Sequence, residues 1–210
     1  YDMFVSRNTP VTNHNFEISG GTENLNCYAS FGYLYQAGFW STNHEDRYNF
    51  TVAIDAKATE TTKISLSVKG SAQKDMYPGF EGTDGGATRV WEVMRAQLPR
   101  SPIIFSNGLN GTSIIPSLFS SGYKKVLSDR LFTQLSINQE LPFVKGLSFK
   151  GTLAYDPTDI FTKAWRLPIR YWAIVDKKVK PYTFVSAPSG TTTASLSQAD
   201  SKRALLTSQV

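Results

Sequence analysis

A single cysteine, two histidines and no long apolar run set the first limits on this 210-residue chain. One cysteine, Cys27, excludes an internal disulfide framework and a cysteine-based zinc site. No stretch approaches ~18 consecutive apolar residues, so a transmembrane helix is unsupported. Barrel strands need only ~9 to 11 residues and turn half of them away from lipid, so the same absence leaves a membrane barrel open. His14 and His44 are the only histidines. His44-Glu45-Asp46 lacks the H-E-x-x-H spacing and any cysteine partner, and it reads as a polar loop cluster rather than a metal site. G-x-S-x-G, the P-loop and the dinucleotide fingerprint are missing. Asp156 and Asp159 read as turn formers rather than as a paired acid and base. The expectation is a non-enzyme with no catalytic residue, no cofactor and no metal. Net charge is +5, with short basic clusters at Lys124-Lys125 and Lys177-Lys178. No concentrated basic face accompanies it, so a nucleic-acid partner is not expected. An initiator Met, a charged n-region and an apolar h-region are lacking at Tyr1, which leads us to expect a piece of a longer protein.

What is present is alternation. The chain is 40% hydrophobic and 13% aromatic, enough to fold. Residues 13–38 read as two strands joined by a turn at 20–24 with Gly20-Gly21 at its head. Phe16 and Ile18 share one face of the first strand, and Asn15, Glu17 and Ser19 the other. In the second, Cys27, Ala29, Phe31, Tyr33 and Tyr35 oppose Asn26, Tyr28, Ser30, Gly32 and Gln36, with Leu34 the exception. Residues 47–58 set Tyr48, Phe50, Val52, Ile54 and Ala56 against Asn49, Thr51, Asp55 and Lys57. After a turn at 60–63, Ile64, Leu66 and Val68 oppose Ser65, Ser67 and Lys69. Residues 129–140 place Leu131, Leu135 and Ile137 opposite Arg130, Gln134, Ser136 and Asn138. A turn at 141–146 leads to 147–155, where Leu147, Phe149, Leu153 and Tyr155 oppose Ser148, Lys150 and Thr152. With a strand-like tail at 204–210, about seven strands are legible.

The connections alternate between brief turns and long segments at 38–46, 74–128 and 156–190. A soluble sandwich has no general reason to keep that order, whereas a membrane barrel has short periplasmic turns and long outer loops. Tyr33 and Tyr35 end the second strand, Tyr48 and Phe50 begin the third, and Tyr155 ends the sixth. All sit at the long-loop end, where interfacial aromatics belong. Glu17, Asp55, Lys57, Lys69, Arg130, Glu140 and Lys150 fall opposite the apolar residues of their own strands. An Arg or Lys at mid-depth on a lipid face costs roughly 2 to 4 kcal/mol, so a barrel requires that parity. A half-exposed soluble sheet shows it too, and a carbohydrate-binding β-sandwich therefore stays as the alternative. Within 74–128, Gly79, Gly82, Gly85 and Gly86 predict an irregular start and 89–97 a short helix, while Pro99, Pro102 and Pro116 forbid regular continuation. Val90, Trp91, Val93 and Met94 read as packing this loop onto a barrel mouth.

Four segments together resemble the SusC/RagA family of TonB-linked outer-membrane proteins. They are T-N-H-N-F-E-I-S-G-G at 12–21, Y-A-S-F-G-Y-L-Y-Q-A-G at 28–38, R-Y-N-F at 47–50 and L-P-F-V-K-G-L-S-F-K-G at 141–151. Their order and spacing are similar to the early barrel of that family, over most of residues 2–165, while no motif covers the tail from about Lys177. The resemblance implies an all-β, antiparallel transmembrane β-barrel segment with long extracellular loops. Residues 1–210 would then be one part of a barrel domain whose plug and remaining strands lie outside this sequence. It implies a bacterial outer-membrane location and import of a glycan or oligosaccharide, less favourably a peptide. A SusD-type lipoprotein would be the surface partner, the TonB complex would drive uptake through regions this chain lacks, and outer-membrane lipid would surround the wall.

Sugar stacking is the chemistry that remains. Trp40, Trp91, Trp165 and Trp172 fall in the predicted outer loops, where an indole face stacks on a pyranose, and Arg95, Arg166 and Arg170 stand near enough in sequence to donate hydrogen bonds. The substrate-contact candidates are Trp40, Trp91, Arg95, Trp165, Arg166 and Trp172, with packing between loops or against the lipoprotein partner as the competing role for each tryptophan.

Overall fold

The computed structural model describes residues 5–79, Glu92, Arg95, 102–144, 146–187 and 193–209. Its elements are β1 (Val11–Gly21), β2 (Leu25–Ala37), β3 (His44–Lys57), β4 (Thr62–Pro78), α1 (Ile115–Ser120), β5 (Gly122–Glu140), β6 (Ser148–Arg166), β7 (Tyr171–Ile174), β8 (Phe184–Ala187) and β9 (Ser195–Gln209). The fold is all-β. Seven strands form one sheet in the order β1-β2-β3-β4-β5-β6-β9, and β7-β8 form a separate two-stranded sheet. Every pairing is antiparallel. Among the described residues, β1 and β9 each keep one edge without a strand partner.

Register explains how alternation becomes two unlike faces, because directly paired residues project to the same side. Ile18, Ala29, Val52, Val68, Thr133, Tyr155 and Leu206 follow one another across the sheet. One residue along, the row reads Ser19, Tyr28, Ala53, Ser67, Gln134, Ala154 and Thr207. The first row belongs to an apolar face and the second to a polar one. Glu17, Asp55, Lys57, Lys69, Arg130, Glu140 and Lys150 all lie on the polar face. The apolar face is not covered: Phe16 is 65% exposed and Leu206 67%, and Phe31, Phe50, Leu135, Phe149 and Leu153 are also exposed.

Three sequence expectations need correction. Gly20 and Gly21 do not make the first turn; they pair with Cys27 and Asn26 as the end of β1. The turn is 22–24, where the Thr22 hydroxyl accepts from the Leu25 amide at 3.2 Å and the Thr22 amide donates to the Leu25 carbonyl at 2.7 Å. A Cβ on Gly21 would stand 2.5 Å from that carbonyl, which accounts for the glycine. The long connections are shorter than expected, because β3 starts at His44, β4 runs to Pro78 and β5 starts at Gly122. Tyr155 does not end β6, which continues to Arg166. Asp156-Pro157 reads as a turn, yet Pro157 lacks only one N–H. The β5 ladder skips that point and resumes in the same register, while the pairing of Pro157 with Ala204 on β9 persists.

The buried core does not lie under the sheet. Among the described residues, the buried hydrophobic side chains include Trp40, Ile114, Leu118, Ala164 and Ile169, and these sit at the end of the long connections.

Candidate functional site

The packed end is built from three connections. In 38–43, the Gly38 amide donates to the Asn43 carbonyl at 2.8 Å and the Asn43 amide to the Trp40 carbonyl at 2.9 Å, a tight loop that turns Trp40 inward until 2% is exposed. Thr42 Oγ1 donates to the Leu118 carbonyl at 3.0 Å and ties this loop to α1. Proline in the first turn of α1 supplies a helical φ where no donor is needed. The helix buries Pro116, Ser117 and Leu118, and the Ser117 hydroxyl is hydrogen-bonded to the Tyr171 hydroxyl of β7.

Residues 102–111 form a small hairpin, bridged at Ile104 and Asn110 and turned by Gly108 at φ +82. The Trp172 amide donates to the Asn110 carbonyl at 2.9 Å, and the Phe105 and Phe184 rings meet edge to face at 4.9 Å. The β7-β8 pair thus clasps the 102–111 hairpin. At the root of α1, Gly122 has φ +91, and a Cβ there would collide with the Trp165 carbonyl. The Leu167 amide donates to the Ser121 carbonyl at 2.8 Å, which closes the top of β6 onto the helix.

The candidate residues separate. Trp40 is buried in the packed end. Trp165 and Arg166 lie on β6 rather than in a loop, on opposite faces, with Trp165 paired to Tyr123 and Leu196 and Arg166 to Gly122 and Ser195. Extension of β6 past Pro157 is the physical reason for that correction. Trp172 is half-buried on β7, opposite Ser186, and Arg170 just before it is exposed. Arg95 and Glu92 carry helical backbone. Trp91 and the Val90, Val93 and Met94 cluster lie outside the described residues, as does the rest of the expected helix at 89–97. Of the described candidates, Trp40, Trp165, Arg166 and Trp172 lie toward the same end of the sheet, on different elements and, for Trp165 and Arg166, on opposite faces.

Glu45, Asp46, Lys74, Asp75 and Asp159, expected in the long connections, lie instead on the outer ends of strands. On the polar face, Arg47 and Glu45 pair at 2.5 Å, and Gln73 Nε2 donates to both Asp75 oxygens at 3.1 Å. Burial first, then Asp75 and Glu45, pushes the Tyr77 phenol above its ordinary value. On the other face, beyond the apolar residues, the Tyr33 hydroxyl donates to Asp46 Oδ1 at 3.0 Å. Lys74 stands 3.7 Å from Asp46, and Lys202 holds Asp159 at 3.4 Å and Asp200 at 3.5 Å. His14 stacks parallel to Tyr33 with centroids 6.5 Å apart, and Tyr33 meets Tyr48 at 4.9 Å. His44 and Asp46 share a face of β3, whereas Glu45 points the other way. Among the described residues, no group of three or more His, Cys, Asp or Glu side chains is placed to hold a metal. The arrangement offers aromatic faces and hydrogen-bonding groups for binding. No protein-family model matches the chain, and no curated protein matches it.

Proposed function

We propose that the chain forms part of the wall of an outer-membrane, TonB-dependent importer of the SusC/RagA kind, taking up a glycan or oligosaccharide and less favourably a peptide. A SusD-type lipoprotein would meet the packed end, and the TonB complex would act through regions beyond these residues. The uncovered apolar face carries this reading. A soluble monomer rarely exposes a contiguous apolar patch larger than roughly a few hundred Å², yet here successive strands expose Phe, Leu, Ile and Val on one side. On that face the uncharged stretches 48–56, 131–139 and 149–157 are each about nine residues, the length a tilted strand needs to cross the hydrocarbon. Short turns at one end and long connections at the other give the wall a direction. A sandwich would need a second sheet over the apolar face, and the described β7-β8 pair meets 102–111 instead.

The native Cys27 tests the proposal without a foreign probe site, because it is exposed on the apolar face in register with Ile54. In intact membranes a water-soluble maleimide is expected to leave Cys27 unmodified and a lipid-partitioning maleimide to label it. Ser30→Cys in a Cys27→Ser background, on the polar face, is expected to react with the water-soluble reagent. Rapid aqueous labelling of Cys27 in a membrane-free, monodisperse protein would overturn the wall assignment.

A further inference from the structure

Lys125 and Lys163 pair directly across β5 and β6 on the apolar side of the sheet. Directly opposed residues in an antiparallel ladder have Cα atoms about 4.5 to 5.5 Å apart, and like charges in that position repel. Both side chains are half-buried, and among the described residues neither makes an ion pair. The other charged groups of this face on neighbouring strands are already committed or distant. Asp46 is beside Lys74, Asp159 and Asp200 share Lys202, and Asp129 stands four residues inward along β5. The lysine pair is sandwiched between Tyr123-Trp165 outward and Leu127-Phe161 inward, each a directly paired couple. Further inward lies an apolar depression of about 330 Å³, walled by Tyr48, Phe50, Leu131 and Pro157 over Ala72, with Asp129 and Asp159 at its rim. It exists because β4 carries the small Ala72 there, between Tyr48 and Asp129, while the Phe50 ring lies over Gly70.

We propose that this strip is a seat for one phosphate-bearing membrane lipid, with the headgroup phosphate between Lys125 and Lys163 and an acyl chain in the depression. The inference rests on the wall reading above. Four residues of strand separate Asp129 from Lys125, about 13 Å of chain, or roughly 10 Å in height at a 45° tilt, which puts the ammonium groups in the headgroup layer. An interposed phosphate relieves the lysine repulsion and supplies charge-assisted hydrogen bonds. The test compares wild type, Lys125→Ser/Lys163→Ser and the loop control Lys177→Ser/Lys178→Ser, which removes the same charge elsewhere. Each is extracted from membranes and returned to vesicles of phosphatidylcholine with or without phosphatidylglycerol, and retained lipid is read by native mass spectrometry. The strip variant is expected to lose roughly tenfold or more of its phosphatidylglycerol retention, with the loop control unchanged. Excess inorganic phosphate is expected not to displace the lipid, because the acyl chain holds it. Equal retention in all three proteins, an equal loss in the control, or displacement by inorganic phosphate overturns the lipid seat alone. Recovery of the wild-type chain only from the aqueous fraction overturns both the seat and the wall.

Discussion

Two adjacent residues on β3 separate a lipid-facing sheet from a water-facing one. Val52 lies midway along the uncharged stretch 48–56 of the apolar face and is 40% exposed. Four residues on either side place it about 13 Å of strand from each end, near the bilayer midplane in the proposed reading. Val52→Arg should there cost roughly 2 to 4 kcal/mol, a decrease of about 30- to 900-fold in the folded-to-unfolded ratio. In a sheet bathed by water, an arginine at a site this open should change stability by less than about 1 kcal/mol. Ala53→Arg is the internal control. Ala53 faces the other side between Tyr28 and Ser67, with Asp55 two residues along the same face, so the new charge has a compatible environment. Reversible denaturant titration in vesicles, followed by tryptophan fluorescence, measures both. Equal costs at 52 and 53, or a cost at 52 under about 1 kcal/mol, would refute the assignment of faces to lipid and water.

Further outcomes concern the packed end. Gly122→Ala puts a Cβ at φ +91 against the Trp165 carbonyl. It should destabilise that end by about 2 to 3 kcal/mol and speed amide exchange in 113–122 while the strand centres stay protected. Tyr171→Phe leaves the buried Ser117 hydroxyl without its partner and should cost about 1 to 2 kcal/mol, visible as faster proteolysis within 102–121. Because the Tyr77 pKa is raised on folding, its contribution is intact below the ordinary 10.0 and is lost as pH rises through the folded value. Tyr77→Phe should therefore flatten the alkaline limb of the stability profile, read by circular dichroism. In the import reading, Trp172→Ala should weaken oligosaccharide capture by roughly tenfold, from base rates for aromatic anchors. Trp40→Ala should instead loosen the packed end, because that indole is buried.

Alternation made the inner halves of β1 through β6 legible, because a strand with two unlike environments must repeat every second residue. It failed where strands leave the apolar zone. Past Ala72, Leu131 and Pro157, the apolar face carries Lys74, Asp129, Asp159 and Lys163, so the contrast between faces vanishes although the ladder continues. Asp156-Pro157 compounded this by presenting turn chemistry inside a strand that tolerates one missing donor. The clasp between β7-β8 and 102–111 was not legible at all, since it rests on backbone bonds such as Trp172 to Asn110 that leave no side-chain pattern. Trp40 was recognisable as a loop residue but not as a buried one; its loop is tied through Thr42 to the Leu118 carbonyl, 76 residues on, and only the structure supplies that contact.

The strands are of unequal length: 11 residues in β1, 13 in β2, 14 in β3, 17 in β4 and 19 in each of β5 and β6. Because the short turns align at one end, the excess gathers at the other, and the sheet climbs like a staircase from β1 to β6. α1 and the clasp stand on the high steps, as a parapet does on one side of a wall. In the import reading, a lipoprotein settling over this end would meet β4 to β6 before β1 and β2.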